Sequence, residues 1–202
     1  IGKQNDLNNN TNLKEFPINE KGLTGCLSFI NLKIKNVSIN STNSSCEDAV
    51  NFINSSGQVD NISIVNSMSD ALDIDFSNIK IKNININTAK NDCVDFSYGN
   101  YNIENLDLIN CGDKALSVGE KSKLSLNSII TYQSETGIAS KDSSIVKFKK
   151  GNFNSVRNCL SAYKKKQEFE GGVIIFNNME CKSRKEKIVF DKHSLINQQN
   201  KI

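Results

Sequence analysis

The sequence is poor in several residue types on which common folds and enzymes depend: its 202 residues include one Pro, one His and no Trp. The single histidine, His193, argues against a Ser-His-Asp hydrolase and against a His-rich metal site. No apolar run approaches the roughly 18 to 20 residues that span a bilayer, so we expect no membrane span. The length predicts one domain. Because the chain begins with Ile1 and a polar stretch, we also expect a missing upstream region.

Charge is divided unevenly along the chain. Residues 1–140 carry 11 basic and 16 acidic side chains, whereas residues 141–202 carry 14 basic and 6 acidic ones. We therefore do not expect the evenly basic surface of a nucleic-acid-binding protein. The basic end, with residues 164–166 and 182–187, is either a solvated surface or a contact for an anionic partner.

A repeat of about 22 residues is the most informative feature of the sequence. Each repeat begins with a small residue and then alternates apolar and polar positions. The apolar second positions, expected to stack in one column, are Leu27, Val50, Leu72, Val94, Leu116, Ile138 and Leu160.

A second pattern, apolar-x-apolar-x-x-apolar-x-apolar, follows later in each repeat. Its skip breaks the alternation of a strand and predicts a bend. Asparagine precedes the second half of the pattern at Asn36, Asn61, Asn83, Asn105 and Asn178. Asparagine tolerates left-handed backbone angles and can bond to neighbouring turns, so we expect these residues to form a column at the bend.

Three short strands per repeat, with no room for a helix, predict an all-β right-handed parallel β-helix of about seven coils. A leucine-rich repeat is the alternative, but its Leu-x-x-Leu-x-Leu-x-x-Asn pattern is absent. We expect the β-helix over residues 25–181. Residues 1–24 are expected to form an N-terminal cap or a linker to the upstream region, and residues 182–202 a C-terminal cap.

The six cysteines fall in three pairs, each inside one coil: Cys26 with Cys46, Cys93 with Cys111, and Cys159 with Cys181. Because three of them occupy the small first position of a repeat, the simpler interpretation is that they are buried apolar residues. The alternative is that disulfides close individual coils. No Cys-x-x-Cys spacing indicates zinc.

A line of charge is expected on the outward side of the first strand. Its members are Asp70, Asp73, Asp92, Asp95, Lys114 and Lys141, with Glu120 and Asp142 just beyond the strand. Carboxylates one rung apart repel each other, which raises the pKa of one or recruits a cation such as calcium. The plainer alternative is that aspartates before a strand bond to the backbone of their own turn.

Four stretches on consecutive repeats resemble the four-coil block of the polygalacturonases, which are pectin-cleaving β-helix hydrolases. The stretches are Ser-Asp-Ala-Leu-Asp-Ile (69–74), Asn-Asp-Cys-Val (91–94), Asp-Lys-Ala-Leu-Ser-Val-Gly (113–119) and Gly-Ile-Ala-Ser-Lys (137–141). The family's block reads Asn-Thr-Asp, Asp-Asp, Gly-His-Gly and Arg-Ile-Lys. In this resemblance Asp70 matches the first Asp, Asp92 the second Asp of the pair, Lys114 the His and Lys141 the last Lys.

The resemblance implies a fold of the pectate-lyase-like and polygalacturonase-like superfamily and a sugar ligand. Asn91, Lys114 and Ala139 depart from it, because they stand where the family has its acid Asp, its His and its Arg. Inverting hydrolysis needs one acid and one base, so we expect no hydrolysis of polygalacturonate. Residues 112–120, 137–142 and 162–166 also resemble β-helix modules of bacterial cell-surface proteins.

Two functions remain open. The first is a secreted or bacterial cell-surface module that binds a polysaccharide or an adjacent domain without catalysis; uniform coils, expected to leave no long loop as the wall of a cleft, favour it. The second is a polysaccharide-acting enzyme, a uronate lyase or epimerase, in which Lys114 or Lys141 is the base.

The candidate site residues follow from these hypotheses. The catalytic candidates are Asp70, Asp92, Lys114 and Lys141. The candidates for substrate binding are Asp73, Asp95, Glu120, Asp142, Tyr163 and Lys164, with Tyr163 stacking on a sugar ring. If calcium is bound, its expected ligands are Asp70, Asp73, Asp92 and Asp95.

Overall fold

The computed structural model describes residues 23–199, which form a parallel β-solenoid of about eight turns with a spacing of about 22 residues. All pairs among its 13 strands are parallel. The prediction of an all-β parallel β-helix is confirmed. No helix between residues 23 and 199 is long and apolar enough to cross a membrane.

Each of the first coils consists of a short strand and a long strand. The short strands are β1 (Gly25–Ile30), β3 (Asp48–Ile53), β5 (Asp70–Asp75), β7 (Val94–Ser97) and β9 (Lys114–Val118). The long strands are β2 (Lys33–Ser44), β4 (Ser56–Ser67), β6 (Asn78–Ala89) and β8 (Asn100–Cys111). Later coils merge these segments into β10 (Lys123–Lys141), β11 (Ile145–Tyr163) and β12 (Val173–Phe190), and β13 (Leu195–Gln198) follows.

The apolar column predicted from the repeat is present. Strand pairing aligns Leu27, Val50, Leu72, Val94, Leu116, Ile138 and Leu160 in consecutive register. The members from Val50 to Leu160 are fully buried, whereas Leu27 is 40% exposed because it lies on the first described coil. The second apolar pattern also points inward, as Ile79, Ile81, Ile84 and Ile86 are buried. These two patterns form the core.

The asparagine column at the bend is held by side-chain hydrogen bonds. Asn83 donates to the Oδ1 atom of Asn61 at 2.8 Å, and Asn105 donates to that of Asn83 at 3.0 Å. The φ angles of these three residues lie outside the left-handed region, so their hydrogen bonds and not their backbone explain the asparagines. The placement of Asn36 in this column was wrong, because a register shift puts Ser38 opposite Asn61.

Left-handed residues instead mark two other corners of each coil. One corner holds Asn43, Asn66, Thr88, Asn110, Gln133 and Ser155, and the other holds Asn31, Asn54, Phe76 and Tyr98. Asparagine amides bond from coil to coil at both corners, as from Asn66 to Asn43 at 3.0 Å and from Asn54 to Asn31 at 2.7 Å. Asparagine therefore has two roles here: it adopts left-handed backbone angles, and its side chains form hydrogen-bonded ladders from coil to coil.

A column of buried serines, which the sequence analysis missed, lines the inside of one corner. Its members are the buried residues Ser55, Ser77, Ser122 and Ser144. The backbone N–H of Ser55 donates to the Ser77 hydroxyl, and the hydroxyl groups of Ser77, Ser122 and Ser144 donate to backbone carbonyl oxygens. At the coil with Gly99, the hydroxyl of Tyr101 lies there instead, 2.8 Å from the carbonyl oxygens of both Ile74 and Ser97, which share its one proton. A Cβ atom on Gly99 would lie 2.2 Å from this hydroxyl, so only glycine leaves room for it.

The cysteines form three disulfides, Cys26–Cys46, Cys93–Cys111 and Cys159–Cys181. The simpler interpretation, free buried thiols, was wrong, and the alternative pairing within coils is correct. Cys93 and Cys159 are nevertheless fully buried at the small first position, which explains why the pattern alone did not decide. Three disulfides are typical of a protein that folds in an oxidising environment.

The two cap predictions concern the ends of the chain. Residues 1–22 lie outside the described residues. Within the predicted C-terminal cap, the end of β12 pairs in parallel with β11, and β13 pairs in parallel with the start of β12. The parallel ladder therefore reaches Gln198.

Replacing Asn83 with alanine tests the asparagine ladder. The variant loses the bond that Asn83 donates and the bond that it accepts, so we expect the free energy of unfolding to fall by about 1 to 2 kcal/mol. Denaturant melting measures this, with Asn102→Ala as the matched control because Asn102 is exposed beside the ladder. Equal losses in both variants would contradict the role of the ladder.

Removing the disulfide between Cys93 and Cys111 tests its contribution. It closes a loop with a sequence separation of 18, so the double variant to alanine is expected to lose about 3 kcal/mol. Thermal melting under oxidising conditions compares the variant with the wild type. If reductant does not lower the melting temperature of the wild type, the disulfides do not stabilise the fold as described.

Candidate functional site: the polar face

The polar face is the outward side of β3, β5, β7 and β9 together with the last residues of β10 and β11. Its first column contains Asp48, Asp70, Asp92 and Lys114. The second contains Asn51, Asp73, Asp95 and Ser117, in continuous register. The third begins with Asp75 and Ser97 and ends with Lys141 and Tyr163. The predicted carboxylates and lysines are thus brought to one surface.

Aspartates of the first column bond to the next coil. Asp70 Oδ1 accepts hydrogen bonds from the backbone N–H of Asp92 at 2.8 Å and from the side chain of Asn91 at 2.7 Å. Asp92 Oδ1 in turn accepts from the backbone N–H of Lys114 at 2.9 Å. These aspartates therefore bond to the backbone of the next coil, and not to their own turn as the plainer alternative expected.

Four carboxyl groups on this face belong to no ion pair among residues 23–199: those of Asp48, Asp70, Asp73 and Asp75. Burial, followed by repulsion from neighbouring carboxylates, raises the pKa of Asp48 and Asp75 to about 6. Burial also raises the pKa of Asp70 to about 7 and that of Asp73 well above its usual value. The face therefore carries carboxyl groups that no cation among the described residues pairs with.

The lysines of the polar face, in contrast, are already paired. Lys114 Nζ lies 3.4 Å from Asp92 Oδ1 and also contacts Asp113. Burial opposes its charge, but the hydrogen bond to Asp113 and the charges of Asp92 and Asp113 raise the pKa of Lys114 above its usual value. The Lys114 ammonium is therefore protonated at neutral pH and cannot act as a base there.

Lys141 lies flat across the face. Its Nζ atom is 3.7 Å from Asp95 Oδ2, two coils back, and its side chain is almost fully buried. The side chain passes over Gly119, where an added Cβ atom would lie 2.9 Å from Lys141 Cε. Glycine at this position therefore permits the contact between Lys141 and Asp95.

Tyr163 approaches both lysines. Burial raises the pKa of its hydroxyl, while the positive charges of Lys114 and Lys141 act in the opposite direction. The hydroxyl is therefore a proton donor at neutral pH. Tyr163 is the register neighbour of Lys141 and lies within electrostatic range of Lys114, although the three residues were predicted from separate repeats.

A loop of residues 164–172 forms a wall beside the face. Lys166 Nζ lies 2.6 Å from Glu120 Oε1, and Ser97 donates to Glu120 Oε2 at 2.7 Å. Although burial opposes the negative charge of Glu120, these two bonds and Lys141 lower its pKa. The expectation that uniform coils leave no loop to form a wall was wrong, because this coil carries extra residues between β11 and β12.

Asp142 and Lys164 lie at the base of this loop. Asp142 is fully buried, and its Oδ1 accepts the backbone N–H groups of Lys165 and Lys166, both at 2.7 Å. The backbone N–H of Lys164 donates to Asp191 at 2.8 Å. In this structure Asp142 holds the loop in place.

An aromatic pair at the corner next to the face was missed by the sequence analysis. The rings of Phe76 and Tyr98 stack with centroids 4.8 Å apart, and the residues are 56% and 42% exposed. Phe169 from the loop approaches Tyr98 edge-on at 6.3 Å. The repeat itself could have indicated this pair, because Phe76 and Tyr98 occupy the left-handed corner position that Asn31 and Asn54 occupy on earlier coils.

The carboxylates do not converge on one point. Among residues 23–199 no group of three or more His, Cys, Asp or Glu side chains is arranged to hold a metal ion. Calcium prefers six to eight oxygens at about 2.3 to 2.6 Å, and columns that run from coil to coil do not offer that arrangement. The expected calcium site at Asp70, Asp73, Asp92 and Asp95 therefore has no preformed set of ligands in the described residues.

Comparisons with protein-family models, with curated proteins and with solved structures found no match to the chain. The resemblance to polygalacturonases thus rests on the quoted stretches and on the fold class.

The raised pKa of Asp70 predicts how stability depends on pH. The folded state keeps the proton up to about pH 7, whereas the unfolded state loses it near pH 3.8, so folding favours the protonated form. This contribution is complete below pH 3.8 and is lost as the pH rises through about 7. Asp70→Asn should therefore stabilise the protein by about 2 kcal/mol at pH 8 and little at pH 4.

Thermal melting at both pH values tests this expectation. Asp107→Asn is the control, because Asp107 is exposed on another side of the solenoid. Destabilisation by Asp70→Asn at pH 8 would show that the Asp70 carboxylate is favourable in the fold.

Proposed function

We propose that the chain is a secreted or cell-surface module, of a bacterial type, that binds a polysaccharide along its polar face without catalysing a reaction. The observation that carries the proposal is the exposed stacked pair Phe76 and Tyr98 beside columns of hydrogen-bonding side chains. An adjacent domain is the other partner that this surface would suit.

Aromatic rings beside polar groups suit the two sides of a sugar. The apolar C–H face of a pyranose packs on an aromatic ring, and its hydroxyl groups bond to carboxylates, amides and hydroxyls. Asp75 and Ser97 directly precede Phe76 and Tyr98 in the chain, so each coil offers both kinds of contact. Because the columns repeat from coil to coil, they suit a linear polymer that lies along the solenoid.

The state of Lys114 and Tyr163 favours binding over catalysis. The Lys114 ammonium is held by Asp92 and Asp113 and is protonated at neutral pH. Tyr163 is a proton donor, because burial raises its pKa. Proton abstraction next to a uronate carboxylate needs a base, and neither group supplies one.

A uronate lyase or epimerase is the second candidate, and the proximity of Tyr163 to Lys114 and Lys141 favours it. In both cases Lys114 neutralises the uronate carboxylate and Lys141 removes the proton from the adjacent carbon. In a lyase the glycosidic C–O bond then breaks and Tyr163 donates a proton to the departing oxygen, whereas in an epimerase Tyr163 donates a proton to the opposite face of the same carbon. The disulfides are consistent with both candidates, because a protein that acts on extracellular polysaccharides works in an oxidising environment.

Removing one aromatic ring tests the binding proposal. Tyr98→Ala is expected to weaken polysaccharide binding about five- to thirtyfold, because a desolvated ring contact is worth about 1 to 2 kcal/mol. Tyr132→Ala is the matched control, since Tyr132 is 44% exposed on another side of the solenoid. Calorimetry or a glycan array gives the affinity, and equal binding by both variants would contradict the proposed surface.

The same preparations decide between binding alone and lyase activity. Under the binding proposal, the protein releases no unsaturated product from polyuronates. Ultraviolet absorbance of such products, lost in Lys141→Met, would establish the lyase instead.

A further inference from the structure

Carboxyl groups without a cationic partner dominate one half of the polar face. Asp70, Asp73 and Asp75 on β5 belong to no ion pair among the described residues, whereas Lys114, Lys141 and Lys166 each lie against a carboxylate. An acidic sugar would therefore compete with carboxylates for the lysines and meet repulsion from β5. A cationic ligand would relieve that repulsion.

Two buried polar atoms of the second column of the polar face lack hydrogen-bond partners among residues 23–199. Asp95 Oδ1 accepts no hydrogen bond, although its other oxygen faces Lys141. On the next rung of the same column, the Oγ atom of Ser117 is fully buried and also without a partner. A buried polar atom that lacks a partner is unfavourable, so Asp95 Oδ1, on the rung next to Asp73, indicates a place for a ligand group that donates a hydrogen bond.

The protein itself shows that a primary ammonium fits this face. The Lys141 side chain reaches back two coils and brings its ammonium to Asp95. Asp73 is the direct neighbour of Asp95 in the column and has Asn51 as its hydrogen-bond donor, but no cation. The position at Asp73 and Asp75 is therefore the equivalent place for an ammonium supplied from outside.

We propose that the polysaccharide bound by this face carries free amino groups, and that Asp73, Asp75 and Asp95 accept hydrogen bonds from its ammonium groups while Phe76 and Tyr98 pack on its rings. This inference rests on the proposed function and names the class of ligand. A linear amino sugar polymer presents amines along its length, as the carboxylates are presented along the solenoid. A divalent ion lacks the convergent ligands that it needs.

The test compares four probes by calorimetry at neutral pH: a glucosamine hexamer with free amines, its N-acetylated form, a galacturonate hexamer and a lysine hexamer. We expect the glucosamine hexamer to bind at least about tenfold more tightly than the other three, since charge-assisted hydrogen bonds are worth about 1.5 to 3 kcal/mol each. Added salt should weaken its binding.

The variants Asp73→Asn and Asp75→Asn should each weaken binding of the glucosamine hexamer at least about tenfold. Both keep an oxygen acceptor, such as the one that Asn51 contacts, so we expect them to fold, and melting curves check this. Asp107→Asn is the matched control and should bind as the wild type does.

Each outcome decides something. Tighter binding of the N-acetylated or galacturonate hexamer would overturn this inference but leave the proposed function standing. Binding of the lysine hexamer as tightly as the glucosamine hexamer would replace the sugar with a basic peptide. Failure of all three sugars would overturn the proposed function together with this inference.

Discussion

In-register stacking of parallel coils is the constraint on which the rest of the structure depends. Because each coil repeats after about 22 residues, every side chain lies about one rung, roughly 4.8 Å, from its counterparts above and below. A residue type that attracts its own copy is therefore stabilising in a column, and one that repels its own copy is not. Asn61, Asn83 and Asn105 show the favourable case, since each amide is both a donor and an acceptor.

Aspartate columns show the opposite case. Two carboxylates one rung apart repel by about 3 kcal/mol at an effective dielectric constant of about 20, which exceeds the roughly 1 kcal/mol of an ordinary hydrogen bond. Burial first, and this repulsion second, raise the pKa values of Asp70 and Asp75, and a retained proton removes the repulsion. Where the columns continue with Lys114 and Lys141, opposite charges replace like charges and the conflict ends.

The fold was predictable from the sequence because its information is local and periodic. Apolar positions such as Ile84 and Val94 recur at the coil length, and stacking fixes their direction. The candidate site was only partly predictable. The period placed the carboxylates and lysines on one face, but the contact of Phe169 with Tyr98 depends on an irregular loop that no period describes. Likewise, a half-cystine and a free thiol both fit the small position of Cys93, so only the proximity of Cys111 in the structure shows that Cys93 forms a disulfide.

The cost of the carboxylates argues that they are not required by the fold. In the second column of the polar face, Asn51 and Ser117 occupy the positions before and after Asp73 and Asp95. Neutral side chains are thus accepted in this column, and they would avoid the repulsion. The solenoid could have used them on every coil, yet carboxylates occupy the two coils beside the aromatic pair. Costly groups placed where apolar rings are also exposed therefore support the proposed ligand, because stability alone would favour neutral side chains there.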